Sequence, residues 1–510
     1  MLVFLFRRIV ASILLLLVAS FAVYMMMAYA GDPLGFLSEI TNPTERAAIE
    51  RDVTSALDLD SPPVVRYFTW LGNVLTGDFG ISARTRQSIN SELATRIPIT
   101  LKLVVVALVL SIVIGVTVGI VTALRQYTGF DYIVTFSTFV FFSLPVFWIA
   151  VILKDVGGIR FNDWLRDGAD IPPWMMVAGG VAAGIVGYSV AGGRTPRRAA
   201  IGAGTAIAGG GLLFYLSVSD WFLRPGIGLP VLVPLAVGIA VGATAILAGV
   251  RNKQALYSSL TTAAIGCALY LPLQRVFDAD GMDWLWTFGL AIAALVSGAL
   301  VGLAWGGYDK GLSAKVSMLV AFLIGIVMFV DRMMQSWQEY SSDPVIRNRP
   351  IKTIGHQEAR LTGSFWIIND DTFSHLILPT MALMLISLAT YTRYSRASML
   401  EVLNMDYIRT ARAKGLTERA VIVRHGLRNA LIPLATIVAF DIGGMLGGAV
   451  ITETVFEWNG MGRMFIDGLR DLDPNPVMAA TMVVGVTAVI ANLLADLMYS
   501  VLDPRIRIHA

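Results

Sequence analysis

In a chain of 510 residues, 56% are hydrophobic and 15% charged, against about 25% charged in soluble domains, and the mean hydropathy is +0.69. A net charge of +3 leaves no electrostatic footprint for a nucleic-acid partner. The single cysteine, Cys267, excludes an internal disulfide and a thiol-rich metal site.

Apolar runs of about 20 residues can cross a hydrocarbon core as helix. They fall at 9–30, 99–124, 133–153, 174–192, 199–219, 229–250, 255–273, 284–306, 313–331, 374–392, 430–452 and 477–501, twelve in all. Arg7 and Arg8 precede the first, and Ala28-Tyr29-Ala30 has the small residues of a signal-peptidase site. The run exceeds the apolar core of about 7–15 residues that a signal peptide has, so it reads as a span. The stretch Gly31 to Pro98 is too charged for membrane. In "TNPTERAAIERDV", Thr41 or Asn42 can cap a helix with Pro43 in its first turn and acids close behind.

The six spans from 174 to 331 differ in texture. They are rich in Gly and Ala, as in "AGGVAAGIVG" (Ala178 to Gly187) and "AIAGGGLL" (Ala206 to Leu213), and small residues let helix backbones approach closely in lipid. They read as three packed hairpins. Being even in number, they can sit in a loop without inverting the downstream spans, which marks 154–365 as an insertion between 1–153 and 366–510.

Lysine and arginine set the orientation. With the N-terminus cytoplasmic, the inside segments hold Arg125, "RTPRR" (Arg194 to Arg198), "RNK" (Arg251 to Lys253), "DKGLSAK" (Asp309 to Lys315), the 393–429 stretch and the tail with Arg505 and Arg507. "SDWFLRPG" and "QRVFDADGMD" fall outside with acids balancing or outnumbering bases; the outside loop Arg332 to Arg360 keeps several bases against the trend.

The chain has no Walker-type G-x-x-x-x-G-K-[ST], H-E-x-x-H or G-x-S-x-G sequence, and its four histidines are scattered. These absences point away from an enzyme. The stretch "YIRTARAKGLTERAVIVRHGLRN" (Tyr407 to Asn429) carries six bases, Arg409, Arg412, Lys414, Arg419, Arg424 and Arg428, against one acid, Glu418. Apolar residues at Met399, Leu400, Leu403, Tyr407 and Ala411 share one helical face. Gly415 can supply a left-handed cap with Leu416 packing back, and Thr417 can cap a second short helix from Glu418. Two short helices joined at a small-residue corner suit a docking element for a cytoplasmic partner better than a loop that only orients the chain. Inside the spans, burying a charge in lipid costs several kcal/mol. Asp441, near the middle of 430–452, is therefore the candidate for a translocation pathway that attracts a cationic group. The alternative reading is a side chain hydrogen-bonded between helices.

"MLEVLNMDYIRTARAKGLTERAVIVRHGLRNALIPLAT" (Met399 to Thr436) resembles the cytoplasmic loop of the B-type permease subunits of dipeptide and oligopeptide ABC importers. In order along the chain, the resemblance extends to "GDP" (Gly31 to Pro33), "LDLDSPPVVRYFTWLGNVLTGDFGIS" (Leu57 to Ser82), "SLPVFW" (Ser143 to Trp148), "HLILPT" (His375 to Thr380), "GGAVITETVFEWNGMGRMFIDGLRDLDPNPV" (Gly447 to Val477) and "DPRIR" (Asp503 to Arg507). It covers 1–153 and 366–510. The resemblance implies an all-α polytopic membrane protein with a six-span permease core, here carrying about six additional inserted helices. Its loop, 393–429, would hold the so-called EAA element that sits in a groove of the ATPase. Thr410, Ala411 and Gly415 match the small positions of that element, while Arg409 stands where the general family has Glu. Tyr407, Arg412, Lys414 and Leu416 complete the expected coupling surface. The extracytoplasmic segment 31–98, with Gly31, Asp32, Pro33, Gly77 and Asp78, would face a substrate-binding protein.

The implied partners are a second homologous permease subunit, two ATP-binding subunits, an extracytoplasmic substrate-binding protein and membrane lipid, in the inner (cytoplasmic) membrane with both termini cytoplasmic. No cofactor is expected on this chain; ATP and Mg are used by the partner subunits. An ion-coupled secondary transporter is the alternative class, and it predicts matching repeats between halves, which the three unlike blocks do not give. For the inserted spans, an accessory-protein dock, a lipid-facing brace or a wall beside the pore are all compatible with the sequence.

Overall fold

The computed structural model describes residues 2–279 and 281–502, and the "DPRIR" tail with Arg505 and Arg507 lies outside them. The described regular elements are helical, with one isolated bridge between Ile81 and Ser88. In chain order they run α1 (Leu2–Ala30), α2 (Pro43–Ala56), α3 (Pro63–Leu75), α4 (Ile89–Leu124), α5 (Gly129–Ser143), α6 (Val146–Ile152), a π-helical stretch (Leu153–Arg160), α7 (Phe161–Arg166), α8 (Pro173–Val190), α9 (Thr195–Val218), α10 (Gly228–Leu247), α11 (Lys253–Phe277), α12 (Trp284–Trp305), α13 (Lys310–Ser342), α14 (Phe365–Leu403), α15 (Asp406–Ala413), α16 (Glu418–Ala420), a second π-helical stretch (Val421–Leu427), α17 (Arg428–Val455), α18 (Met461–Arg470) and α19 (Pro474–Leu502).

Eleven helical stretches are long and apolar enough to cross a membrane, and a further pair is bent by 103° between Ser143 and Val146. The run expected at 133–153 is therefore not one straight helix. Leu144 precedes Pro145, whose ring forces it out of the helical region to ψ 129°. The pair still counts as one crossing. Asp131 in α5 binds Arg396 near the end of α14, whereas Gly158 after the bend lies against Leu378. At 1.5 Å per residue, the stretch of α14 from Leu378 to Arg396 measures about 27 Å. Among the described residues the total is then twelve crossings.

Several helices outrun their apolar runs. α4 begins at Ile89 and passes through Pro98, where the sequence suggested a boundary. Ile89 and Leu93 in this extension pack on Met461, Met464 and Ala479. α14 extends well beyond 374–392 at both ends. Its axis passes close to α4 at "GVTVG", where a Cβ on Gly115 would meet Tyr391 Cβ at 2.8 Å and one on Gly119 would overlap Ser395. This is the G-x-x-x-G approach, by which lipid-embedded helices gain contact area without a hydrophobic driving force.

The Gly/Ala-rich block forms three antiparallel pairs: α8 with α9, α10 with α11, and α12 with α13. In the first, added Cβ atoms on Gly180 and Gly184 would meet the backbone carbonyls of Ala206 and Gly202 at 2.9 and 3.0 Å, so the texture noted in the sequence is a steric requirement. Leu232, Ala236 and Ala240 of α10 share a buried cluster with Ala263 of α11 and Val316, Val320 and Ile324 of α13. α13 leans on α14 at the end of the bundle distant from residues 404–428. There Trp366 donates to the Phe277 carbonyl at 2.8 Å and Ser336 to Asp370 at 2.7 Å.

Candidate functional site

The loop between α14 and α17 is built from three local decisions. Met405 is extended (φ −70°, ψ 149°), which ends α14 and starts α15 with Asp406 in its first turn and Arg412 in its last, each at the end that the helix dipole favours. The apolar stripe read along one helix thus divides between two. At the other end of α15 the chain closes in a Schellman turn: Gly415 N–H donates to the Arg412 carbonyl at 2.9 Å and Leu416 N–H to the Ala411 carbonyl at 3.4 Å. Gly415 has φ +76°, a conformation glycine adopts without strain. Thr417 then caps the next helix, its hydroxyl accepting from Ala420 N–H. That helix is not a separate short one, because α16, the π-helical stretch and α17 succeed each other without a break.

Ile408 and Ala411 form the buried face of α15, packed with Ala123, Met399, Val402, Val421 and Ala430. The loop therefore sits on the ends of α4, α14 and α17 together. The outward face carries Arg409, Thr410, Lys414 and Leu416. Leu416 is 44% exposed, so it does not pack back on the helix as expected and leaves an apolar group beside the corner. Arg412 crosses the corner to Glu418 with two bonds of 3.2 and 2.7 Å. Arg409 reaches Asp406 at 3.5 Å, and Tyr407 accepts from Asn429 at 2.8 Å. The loop residues singled out in the sequence thus lie on one elbow.

Asp441 is half-buried in α17 and accepts a 2.7 Å hydrogen bond from the Tyr391 hydroxyl of α14. It joins two core helices beside Leu108, Leu434 and Ile442.

At the opposite end, Gly31 lies against Leu472. Asp32 caps the adjoining turn by accepting from Leu34 N–H at 2.9 Å. Gly77 has φ +88°, and Asp78 accepts from Gly80 N–H at 2.9 Å. Gly80 in turn lies on Asn475. The two separated sequence segments meet on either side of the turn between α18 and α19, with Gly31, Asp32, Gly77 and Asp78 exposed and Pro33 half-buried.

Three groups carry this end that sequence reasoning did not single out. Glu453, fully buried, accepts from the Thr100 hydroxyl at 2.6 Å and from Arg463 N–H at 3.1 Å. It thereby ties α17 to α4 and caps the start of α18. Gly460 and Gly462 leave room for its carboxylate, since a Cβ on Gly462 would meet Oε2 at 2.8 Å. Trp458 donates to the Ile99 carbonyl at 3.2 Å. Asp473 accepts from Ser82 Oγ and Ala83 N–H, both at 2.7 Å, and its burial pushes the carboxyl above the usual carboxylate range. The signal lay in "TETVFEWNGMGR" and "DLDPN", where acids stand among apolar residues, glycines and a proline too closely for a span.

Two family profiles match the chain. "Binding-prot-dependent transport system membrane comp, N-term" matches residues 1–104. "Binding-protein-dependent transport system inner membrane component" matches 316–508, a region that opens inside α13. The oligopeptide transport system permease protein OppB of Mycobacterium tuberculosis is 36% identical over 227 residues, covering 43% of this chain and 67% of that protein. The dipeptide transport system permease protein DppB of Escherichia coli is 49% identical over 137 residues, covering 27% of this chain and 40% of the relative. AppB of Bacillus subtilis, an oligopeptide transport system permease protein, is 48% identical over 136 residues, 27% of this chain and 43% of its own length. The chain belongs to the binding-protein-dependent transport system inner membrane component family. It is an integral membrane protein with a transport permease role.

Proposed function

We propose that this permease forms one half of the translocation pathway of an ATP-driven importer for peptides or similar small solutes. A second homologous permease subunit would supply the other half and two ATP-binding subunits would dock below. An extracytoplasmic binding protein would deliver cargo at the distal end, beside Gly31, Asp32, Pro33, Gly77 and Asp78. Both termini and the 404–428 elbow are then cytoplasmic. The chain carries no Walker-type sequence, so ATP and Mg belong to the partner subunits.

The observation that carries the reading is the elbow. A helix with one buried face, stopped by a glycine turn and seated on the ends of α4, α14 and α17, holds Arg409, Thr410, Lys414 and Leu416 outward on a rigid support. A partner that grips this face and moves displaces three membrane helices at once. A loop serving only to orient the chain would have no use for that seat. Asp441 we place along the pathway, where its free carboxylate oxygen can attract a cationic group such as a peptide amino terminus.

Extraction in mild detergent and mass spectrometry of the co-purifying subunits test the assembly. An ATPase, a second permease and a binding protein are expected, and recovery without any ATPase would refute the importer reading.

A further inference from the structure

One side chain of the elbow does not face the expected ATPase. Arg419, in α16 just past the glycine corner, extends to the inserted block. Its Nε donates to the Ile246 carbonyl at 3.0 Å, and Nη2 donates to the same oxygen. Ile246 stands in the last turn of α10, where helix carbonyls have no intrahelical partner and the dipole attracts a cation. Gly249 has φ +82°, and a Cβ there would meet Arg419 Nη1 at 2.7 Å. The glycine that caps α10, its N–H on the Thr244 carbonyl, thus also leaves space for the guanidinium.

The other end of α10 is tied as firmly. Ile227 and Gly228 N–H donate to Asp331 of α13 at 2.6 and 3.2 Å, and Tyr270 of α11 donates to the same carboxylate at 2.6 Å. Thr244 and Ser259 hydrogen-bond across α10 and α11 at 2.8 Å. α13 then joins α14 through Ser336 and Asp370, and through Tyr340 and Ser374 at 2.7 Å. A closed circuit results: elbow, Arg419, α10, Asp331, α13, α14, elbow. The elbow is attached to the distal half of α14 by two routes, one along α14 itself and one through the inserted helices. A cycle that displaces the elbow either drags α10 with it or breaks the Arg419 contact. The first is opposed by the buried α10–α11–α13 cluster. The second costs one partly exposed, charge-assisted hydrogen-bonding contact.

We infer that the inserted block is a latch on the coupling loop, closed by Arg419 on the C-terminus of α10 and released when the elbow moves. Arg419 is then a positioning residue for transport, and the inserted spans restrain ATP turnover until the loop is pulled away. The inference rests on the importer reading for its consequence, while the contact itself does not.

The test uses the full chain with Cys267→Ser and spin labels at two exposed positions, Val250 and Val423. In the isolated chain in nanodiscs, R419Q is expected to lengthen and broaden the label distance. R419K should keep part of the short population. In the assembled transporter, ATP–vanadate trapping should lengthen the wild-type distance. R419Q should raise hydrolysis in the absence of binding protein about three- to tenfold, the factor for losing one partly exposed bond to a charged group. An unchanged distance in R419Q overturns the contact. A longer distance with unchanged hydrolysis, or a wild-type distance that trapping does not alter, overturns the latch. A wild-type chain that recruits no ATPase refutes the importer reading instead, and the isolated-chain distances still decide whether Arg419 holds the loop.

Discussion

Replacing Gly415 separates the geometry of the elbow from its charge. The residue has φ +76°, and a Cβ built on it meets nothing within 4 Å. A substitution there introduces no clash, and its whole effect is backbone strain. A left-handed conformation costs an L residue roughly 1–2 kcal/mol, with β-branched side chains at the upper end. At about 1.4 kcal/mol per factor of ten, Gly415→Val lowers the ratio of closed to open corners roughly tenfold or more. The Arg412–Glu418 pair cannot offset this, because its side chains are 43% and 57% exposed and exposed pairs contribute about 0.2–1 kcal/mol. Gly415→Ala should fall between the two, and Gly415→Asn, which tolerates the left-handed region, should stay near wild type. The corner lies outside the apolar run that begins near Ala430, so membrane insertion and the elution profile in detergent should be unaffected. The assay is uptake into proteoliposomes with the ATPase and binding protein present, and the expected order is Gly, Asn, Ala, Val. Transport by Gly415→Val at the wild-type rate would show that the elbow's shape does not matter.

Glu453→Ala should lower the melting temperature in detergent, because it leaves the Thr100 hydroxyl and the Arg463 N–H without their buried acceptor, a loss of about 2–4 kcal/mol. Glu453→Gln should be milder, and an alanine variant that melts like wild type removes Glu453 from the hub. Gly119→Val should impair folding outright, since a Cβ there would stand 2.5 Å from the Thr392 carbonyl with backbone on both sides; normal expression and melting would contradict the close α4–α14 approach. Asp473 supplies a pH test. Its carboxyl is raised above 3.8 by burial, so the folded state holds the proton more tightly than the unfolded chain. The resulting stability is present below pH 3.8 and is lost as pH rises through the folded-state value. Asp473→Asn should flatten that part of the melting profile, and an unchanged slope would reject the assignment. Asp441→Asn should reduce uptake of cationic relative to neutral substrates, and unchanged selectivity would leave Asp441 as a bond between helices.

Crossings and elbow were legible in the sequence because each has a one-dimensional signature. An apolar run reports a helix in lipid whatever its neighbours, and Gly415 with Thr417 and Glu418 close behind reports a stop and a start. Helix ends were less legible. Ile89 to Pro98 is polar enough to read as outside the span, yet it stays helical because Ile89 and Leu93 bury one face against Met461, Met464 and Ala479. The helical stripe at Met399, Leu400 and Leu403 was legible, but not that it continues α14. Asp441 shows the limit of a charge-in-a-span argument: the sequence displays the carboxylate but not Tyr391, fifty positions away on another helix. Glu453, Asp473 and Arg419 act through residues far off in the chain, Thr100, Ser82 and Ile246. Local pattern holds no trace of such pairings.

The placement of the Gly/Ala-rich block has its reason in the same geometry. A block of six crossings restores the direction of the chain, and the fold also brings its two boundaries together. Asn162, just after the first boundary, donates to the Ile351 carbonyl at 2.7 Å and accepts from Ile351 N–H at 3.0 Å. Lys154 donates to the Val455 carbonyl at 2.8 Å. Entry and exit are thus clamped to one another and to the end of α17. Near the elbow the block touches the core in two places, where Arg125 donates to the Val190 carbonyl of α8 at 2.6 Å and where Arg419 donates to the Ile246 carbonyl of α10 at 3.0 Å. Gly249, whose left-handed backbone closes the end of α10 with its N–H on the Thr244 carbonyl at 2.7 Å, also leaves room for the Arg419 guanidinium. The two ends of the block therefore differ in kind: at one, Asn162 and Ile351 clamp its entry to its exit, and at the other a single arginine of the elbow reaches a helix end.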